Sequence, residues 1–298
     1  MRTEELDAPE PGIYYGLSFD DYKKWIAVNN GSLGPALKSD LHYVYNQTVE
    51  REDSSAFRFG RLAHEGRLEP ASVLASYAIV PEQLTQGIKV KGAPAKKPKS
   101  TTEYASRLEN WKATLDEGVE VITTAEHIKL MGVLDALWNE QRSRELFSAK
   151  GYAEVSIAWD DPETGLRCKA RIDKVTEHLL ADLKTTRDAS QFEKSIRSYG
   201  YDRQAAFYTD GWSLLTGEHR KFWFSAVESD APHGVICAPV SNRLMLRGRQ
   251  QYKEALRIVA RIKSGKPPLG YDQPTEFDVM PWDIKNDSIT HHGAPVKV

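Results

Sequence analysis

Asp182 and Lys184 stand two residues apart in the stretch LADLKTT (180–186), set among Leu180, Ala181 and Leu183. A strand would point both charged side chains to one face, and ionised groups in such apolar company take a partner. The preceding stretch LRCKARIDKV (166–175) carries Asp173 and is joined to the next by only a few residues. If the two segments pair as a hairpin, Asp173 and Asp182 approach across it, with Cβ atoms about 5 Å apart. Carboxylates that close repel, and one takes up a proton unless a cation compensates. Lys184 is one such cation. A hard divalent ion, Mg²⁺ or Mn²⁺, is the other, because carboxylate oxygens with positions left open for water or phosphate suit it. Such an ion lowers the pKa of a bound water, while an ammonium orients it or stabilises charge developing on phosphorus. The tripeptide alone is weak evidence, because a surface ion pair explains most occurrences of this spacing.

The elements that must position these groups are legible in the second half. YAEVSIAWD (152–160), LRCKARIDKV and HLLADLKTT (178–186) read as three consecutive strands linked by short turns. In the middle strand Leu166, Cys168, Ala170 and Ile172 alternate with Arg167, Lys169, Arg171 and Asp173, so one face is apolar and the other charged. Glu154 falls on the face of Ser156 and Ala158, opposite Val155, Ile157 and Trp159; it reads as an auxiliary acid or an exposed strand glutamate. Helical patterns follow at SQFEKSIRS and YDRQAAFYTDGWSLL, then strands at KFWFSAVES and GVICAPV, then a long helix. The first half is mainly helical, with patterns at SFDDYKKWIA, at SLGPALKS starting from Ser32, at 55–68, at 102–117 and at 125–147, and an extended SVLASYAIV. The expected class is α/β or α+β with a mixed central sheet. The chain reads as one domain: a helical part (1–150), a sheet with flanking helices (151–265) and a tail (266–298).

Composition narrows the classes. The chain has 298 residues, 28% of them charged, with a net charge of −2, which fits a globular protein. No run approaches the roughly 20 apolar residues of a membrane helix. The first residues lack a signal-peptide core, so a cytoplasmic location is expected. Cys168 and Cys237 have no CxxC spacing and read as reduced and structural; two thiols cannot hold a four-cysteine cluster. There is no P-loop motif. Charge is unevenly placed: GIKVKGAPAKKPKS (87–100) has five lysines and no acid, and Arg243, Arg247, Arg249 and Lys253 form a second basic group. Each is either a solvated surface or a local phosphate-binding track. Arg171 and Arg203 are further candidate phosphate contacts. Tyr14, Tyr15, Trp25, Tyr43 and Tyr45 are core residues or include a stacking wedge for a frayed nucleic-acid end.

The ordered series GRLAHEG, AEVSIA, ARIDKV, LADLKTT and YDRQAAFY resembles the PD-(D/E)xK nuclease superfamily, in particular its RecB-like branch and the exonuclease domain of RecE. The resemblance spans about residues 55 to 215, and the N-terminal YYGLSFDDYKKW and GSLGPALKSDLHYVYN also look RecE-like. Matching positions are His64, Asp173, Asp182 with Lys184, and Gln204 with Tyr208; the proline of the superfamily's name is absent before Asp173. Taken alone, His64 is a packed histidine, Asp173 a strand-end charge, and Gln204 and Tyr208 ordinary helix residues.

The resemblance implies a restriction-endonuclease-like core. It implies Mg²⁺, with Mn²⁺ able to substitute, held by His64, Asp173, Asp182 and the Leu183 carbonyl. Lys184 would position or deprotonate the attacking water, and Gln204 and Tyr208 would contact the DNA backbone or orient Lys184. The implied activity is exonucleolytic resection of linear double-stranded DNA from its ends, 5′ to 3′, in phage-type recombination or repair. A homo-oligomeric ring (trimer or tetramer) and a RecT-like single-strand annealing partner are implied with it. Two alternatives stay open: an endonuclease or flap nuclease on the same fold, and a catalytically silent DNA- or partner-binding module.

Overall fold

A computed structural model describes residues 6–7, 9–49, 54–71, 73–271, 289–291 and 294–296. Its centre is a six-stranded sheet. The strands are β1 (Gly12–Tyr14), β2 (Gly151–Asp160), β3 (Arg167–Thr176), β4 (Leu179–Thr186), β5 (Lys221–Glu228) and β6 (Val235–Pro239), lying side by side in chain order. Every neighbouring pair is antiparallel except β4 and β5, which run parallel from Leu179 opposite Lys221 to Thr186 opposite Glu228. A parallel pair needs a crossover rather than a hairpin; two helices between β4 and β5 supply it. The sheet is thus mixed, as expected, and its edge strand β1 comes from the half that had read as mainly helical.

Eight helices matter for the site: α1 (Asn30–Lys38), α2 (Asp40–Thr48), α3 (Ser55–Leu68), α4 (Thr124–Asn139), α5 (Gln141–Ser148), α6 (Phe192–Tyr199), α7 (Tyr201–Thr216) and α8 (Asn242–Lys263). One core joins Val155, Ile157, Ile172 and Leu180 of the sheet to Ala206 and Phe207 of α7 and Leu256 of α8. A second joins Ala181, Leu183 and Val227 to Leu62 and Ala63 of α3 and to Leu130 and Leu137 of α4. Leu180 therefore faces one core and Ala181 and Leu183 the other, as strand alternation demands.

Local chemistry accounts for several boundaries. The pattern read as one helix over 125–147 is two, because Glu140 is extended (φ −72°, ψ 122°) and its carboxylate accepts from Ser143 N at 2.6 Å, capping α5. α1 starts not at Ser32 but after Asn29, whose side chain takes the Ser32 amide. In SVLASYAIV only Tyr77–Ile79 is extended, pairing with Glu120–Ile122, while Val73–Ser76 is helical. The helix expected over 102–117 ends at Lys112. Of the tail, Leu269 binds α2 through Asp40 and Leu41; most of 275–298 lies outside the described residues.

Candidate active site

The site forms where the ladder of the sheet breaks. Strands β2 and β3 pair Ala153 with Lys174 and Val155 with Ile172, yet Glu154 and Asp173, facing each other between those pairs, make no ladder bridge. Glu154 sits at φ 52°, a left-handed conformation that costs a side-chain-bearing residue on the order of 1–3 kcal/mol. Ile172 and Val175 both belong to one core with Asp173 and Lys174 between them, so the two-residue alternation slips here. On the other side, β3 and β4 pair only through Val175–Leu180 and Lys174–Ala181. Beyond that point the Asp173 carboxylate takes the Leu183 amide itself, at 2.7 Å. A side chain has replaced a strand as acceptor, leaving a polar opening in the sheet.

His64 reaches this opening from α3, its Nδ1 lying 3.3 Å from Asp173 Oδ2. The ligand atoms of His64, Glu154 and Asp173 all lie within 4.8 Å of one another. Burial pushes the imidazole down to about 4, against the pull of Asp182, and the Leu183 carbonyl accepts from it. It is therefore neutral at pH 7, the state in which imidazole binds a metal. Asp173 is pushed well above the usual carboxylate range, first by burial and then by Asp182 and Glu154. Burial also raises Glu154, although Arg171 Nε stands 2.5 Å from its Oε2.

Asp182 and Lys184 make the opposite wall. Asp182 is 2% exposed; Gln204 Nε2 of α7 donates to its Oδ1 at 2.5 Å, and Lys184 Nζ lies 2.5 Å from Oδ2. The two Asp182 oxygens are thus divided between an amide on one side and an ammonium on the other. Burial works against the lysine's charge, but Asp182 and Asp173 outweigh it and hold the ammonium above its ordinary range. The Tyr201 ring covers that ammonium, 4.8 Å from Nζ. Tyr208, one turn beyond Gln204, has its hydroxyl pushed far up by burial and feels Asp182 and Asp173; the Gln204 amide bonds to it.

His64, Asp173, Asp182, Leu183, Lys184, Gln204 and Tyr208 thus converge, and the cross-strand approach of the two aspartates holds. The ligand grouping differs from the expectation in one respect. Glu154 joins His64 and Asp173 in the compact cluster, whereas the Asp182 carboxylate is engaged by Lys184 and Gln204. The left-handed backbone at Glu154, which alternation cannot foresee, goes with that placement.

The two arginines considered as phosphate contacts are occupied: Arg171 bonds Glu154, Ser156 and the Leu17 carbonyl, and Arg203 is buried with Nε on Asn30 Oδ1. Arg247 and Arg249 pair with Asp202 and Asp210 of α7. Of the aromatic candidates, Trp25 and Tyr43 are buried, while Tyr15 and Tyr45 are exposed. Tyr201 was missed; its signal was an aromatic three residues before Gln204, hence on the same helical face.

The residues fit a divalent cation. Three carboxylates stand against the positive charge of Lys184 and Arg171, and burial, with Asp182 and Glu154 beside it, holds the Asp173 carboxyl well above its ordinary range. Oxygen donors with one imidazole suit Mg²⁺ or Mn²⁺.

Comparisons with known proteins bear on the fold and the family. No curated protein matches the chain in sequence. A protein from Eubacterium rectale, provisionally described as an exonuclease, has a similar crystal structure: TM-score 0.58 at 13% identity, covering 91% of this chain and 98% of that one. At that identity the likeness is one of fold. A family model described as a PDDEXK-like domain of unknown function (DUF3799) matches residues 35–269, a span that holds every residue of the cluster. The chain therefore belongs to this PDDEXK-like family, with a mixed central sheet flanked by helices.

Proposed function

We propose that the protein is a divalent-metal-dependent deoxyribonuclease that degrades linear double-stranded DNA from its ends. The observation that carries the reading is the convergence of His64, Glu154, Asp173, Asp182 and Lys184 on one break in the sheet. His64, Glu154 and Asp173 would hold the ion, beside the Asp182 carboxylate. A bound Mg²⁺ or Mn²⁺ would supply Lewis-acid polarisation of the phosphodiester and a lowered pKa for a water beside it. Lys184, whose ammonium Asp182 and Asp173 hold above its ordinary range, would offer positive charge to the phosphate or position the attacking water. Gln204 holds Asp182, Tyr208 backs Gln204, and the Tyr201 ring limits where the ammonium can point.

Action at DNA ends with 5′ to 3′ polarity rests on the RecE-like order of motifs, as do a homo-oligomeric ring and a single-strand annealing partner. The test uses 5′- and 3′-labelled linear duplexes beside a covalently closed circle, with Mg²⁺ or Mn²⁺ and with EDTA. Mononucleotides released from the 5′-labelled end, an intact circle and abolition by EDTA are expected. Cutting of the circle would make the protein an endonuclease, and no digestion with either metal would sink the enzymatic reading.

A further inference from the structure

The acid-free stretch 87–100 lies outside the site, yet it is built as a projecting device. Lys89–Val90 pairs antiparallel with Ala93–Pro94, and the two residues between, Lys91 and Gly92, have φ of 52° and 83°. That is the backbone of a two-residue hairpin turn with both central residues left-handed, where Asn or Asp before Gly is favoured. Lysine has no local hydrogen bond to offset the conformation, so a cation stands at the apex in spite of the backbone. Lys89, Lys91, Lys96, Lys97 and Lys99 are all exposed. Among the described residues none of them meets a carboxylate, whereas Lys23, Lys112 and Lys129 elsewhere on the surface do.

The hairpin is fastened at its base. Ile88 is 3% exposed and its carbonyl accepts from Ala95 N at 2.9 Å, and Arg107 donates to the Gln86 carbonyl at 2.7 Å. The segment from Tyr77 to Ile122 that carries the hairpin is tied to the helix bearing His64. Its Tyr77–Ile79 strand pairs with Glu120–Ile122, and Glu120 is ion-paired at 2.5 Å to Arg61, one turn before the imidazole.

We propose that this lysine-tipped hairpin is a contact for the phosphate backbone of duplex DNA. The choice of ligand rests on the nuclease reading. Ammonium groups on an exposed hairpin bind phosphates as point charges and read no sequence, which suits a protein whose total charge offers DNA no general attraction.

The experiment measures binding of a labelled 30-base-pair duplex in EDTA, so that nothing is cut, as a function of salt. For every phosphate that is no longer neutralised, the slope of log K against log salt falls by about 0.9. Replacing all five lysines by glutamine is expected to lower the slope by about 2 to 4 with the thermal midpoint unchanged. Lys91→Asn, which suits the turn, is expected to keep or raise the midpoint while weakening binding by up to about eightfold at 0.1 M salt. An unchanged slope in the fivefold variant, or a change seen with duplex RNA but not duplex DNA, overturns the assignment. Duplex binding with the expected slope change, by a protein that cuts nothing with Mg²⁺ or Mn²⁺, would sink the nuclease reading and leave the hairpin's role standing.

Discussion

At the scale of single residues, the site trades stability for charge. Asp173 is raised well above its ordinary range by burial and by its acidic neighbours. The folded protein therefore keeps a proton that the unfolded chain gives up at about pH 4. Stability without metal falls as pH rises from there toward the folded value. Asp173→Asn removes that cost while keeping an oxygen for the Leu183 amide. It should raise the metal-free melting temperature by about 2 °C or more, corresponding to about 1 kcal/mol in a chain this long, flatten the pH dependence, and abolish cutting. Calorimetry from pH 4 to 8 beside a digestion assay checks all three. Lys184→Ala should leave DNA binding near normal while cutting falls by about 10² to 10³, and should lower the metal-free melting temperature because the buried Asp182 carboxylate loses its cation. Unchanged cutting by that variant would remove the lysine from the mechanism.

At the scale of elements, catalytic geometry is held by helix crossings as much as by strands. Gln204 sits in the first turn of α7, and α8 crosses that turn at Gly248. A Cβ there would lie 2.0 Å from the Asp202 carbonyl oxygen and 2.9 Å from Arg203 N. Both are backbone atoms, so α7 and α8 would have to move apart. Gly248→Ala should cost about 2–3 kcal/mol and weaken cutting as Gln204 loses its position against Asp182. Denaturant titration measures the first effect, and kcat compared with KM the second. The Arg247–Asp202 and Arg249–Asp210 pairs clamp the same crossing, which is why two arginines of an apparent basic track are structural.

At the scale of the whole molecule, three strands and two helices deliver the side chains of the site to one opening, so an ion bound there links elements of both cores. A cation that binds only the folded chain stabilises it by about 2.7 kcal/mol at a hundredfold excess over Kd, a rise of roughly 5 °C. Mg²⁺ or Mn²⁺ should produce that shift in a thermal scan, and Glu154→Gln and His64→Ala should each suppress it. A shift that survives both substitutions would place the ion elsewhere. Among the described residues no helix is long and apolar enough to cross a membrane.

Strand alternation, the short turn after Asp173 and the two-residue spacing of Asp182 and Lys184 are local, and local pattern was enough to foresee the hairpin, the paired carboxylates and the class of fold. The ordered motifs added His64, Gln204 and Tyr208. The sequence could not show that Glu154 adopts a left-handed backbone, that Asp173 takes a strand amide, or that Arg171 and Arg203 are already spent on neighbours. Those depend on which groups meet after residues far apart in the chain are packed together. Periodicity says which way a side chain points, but only the closed core decides what is there to receive it.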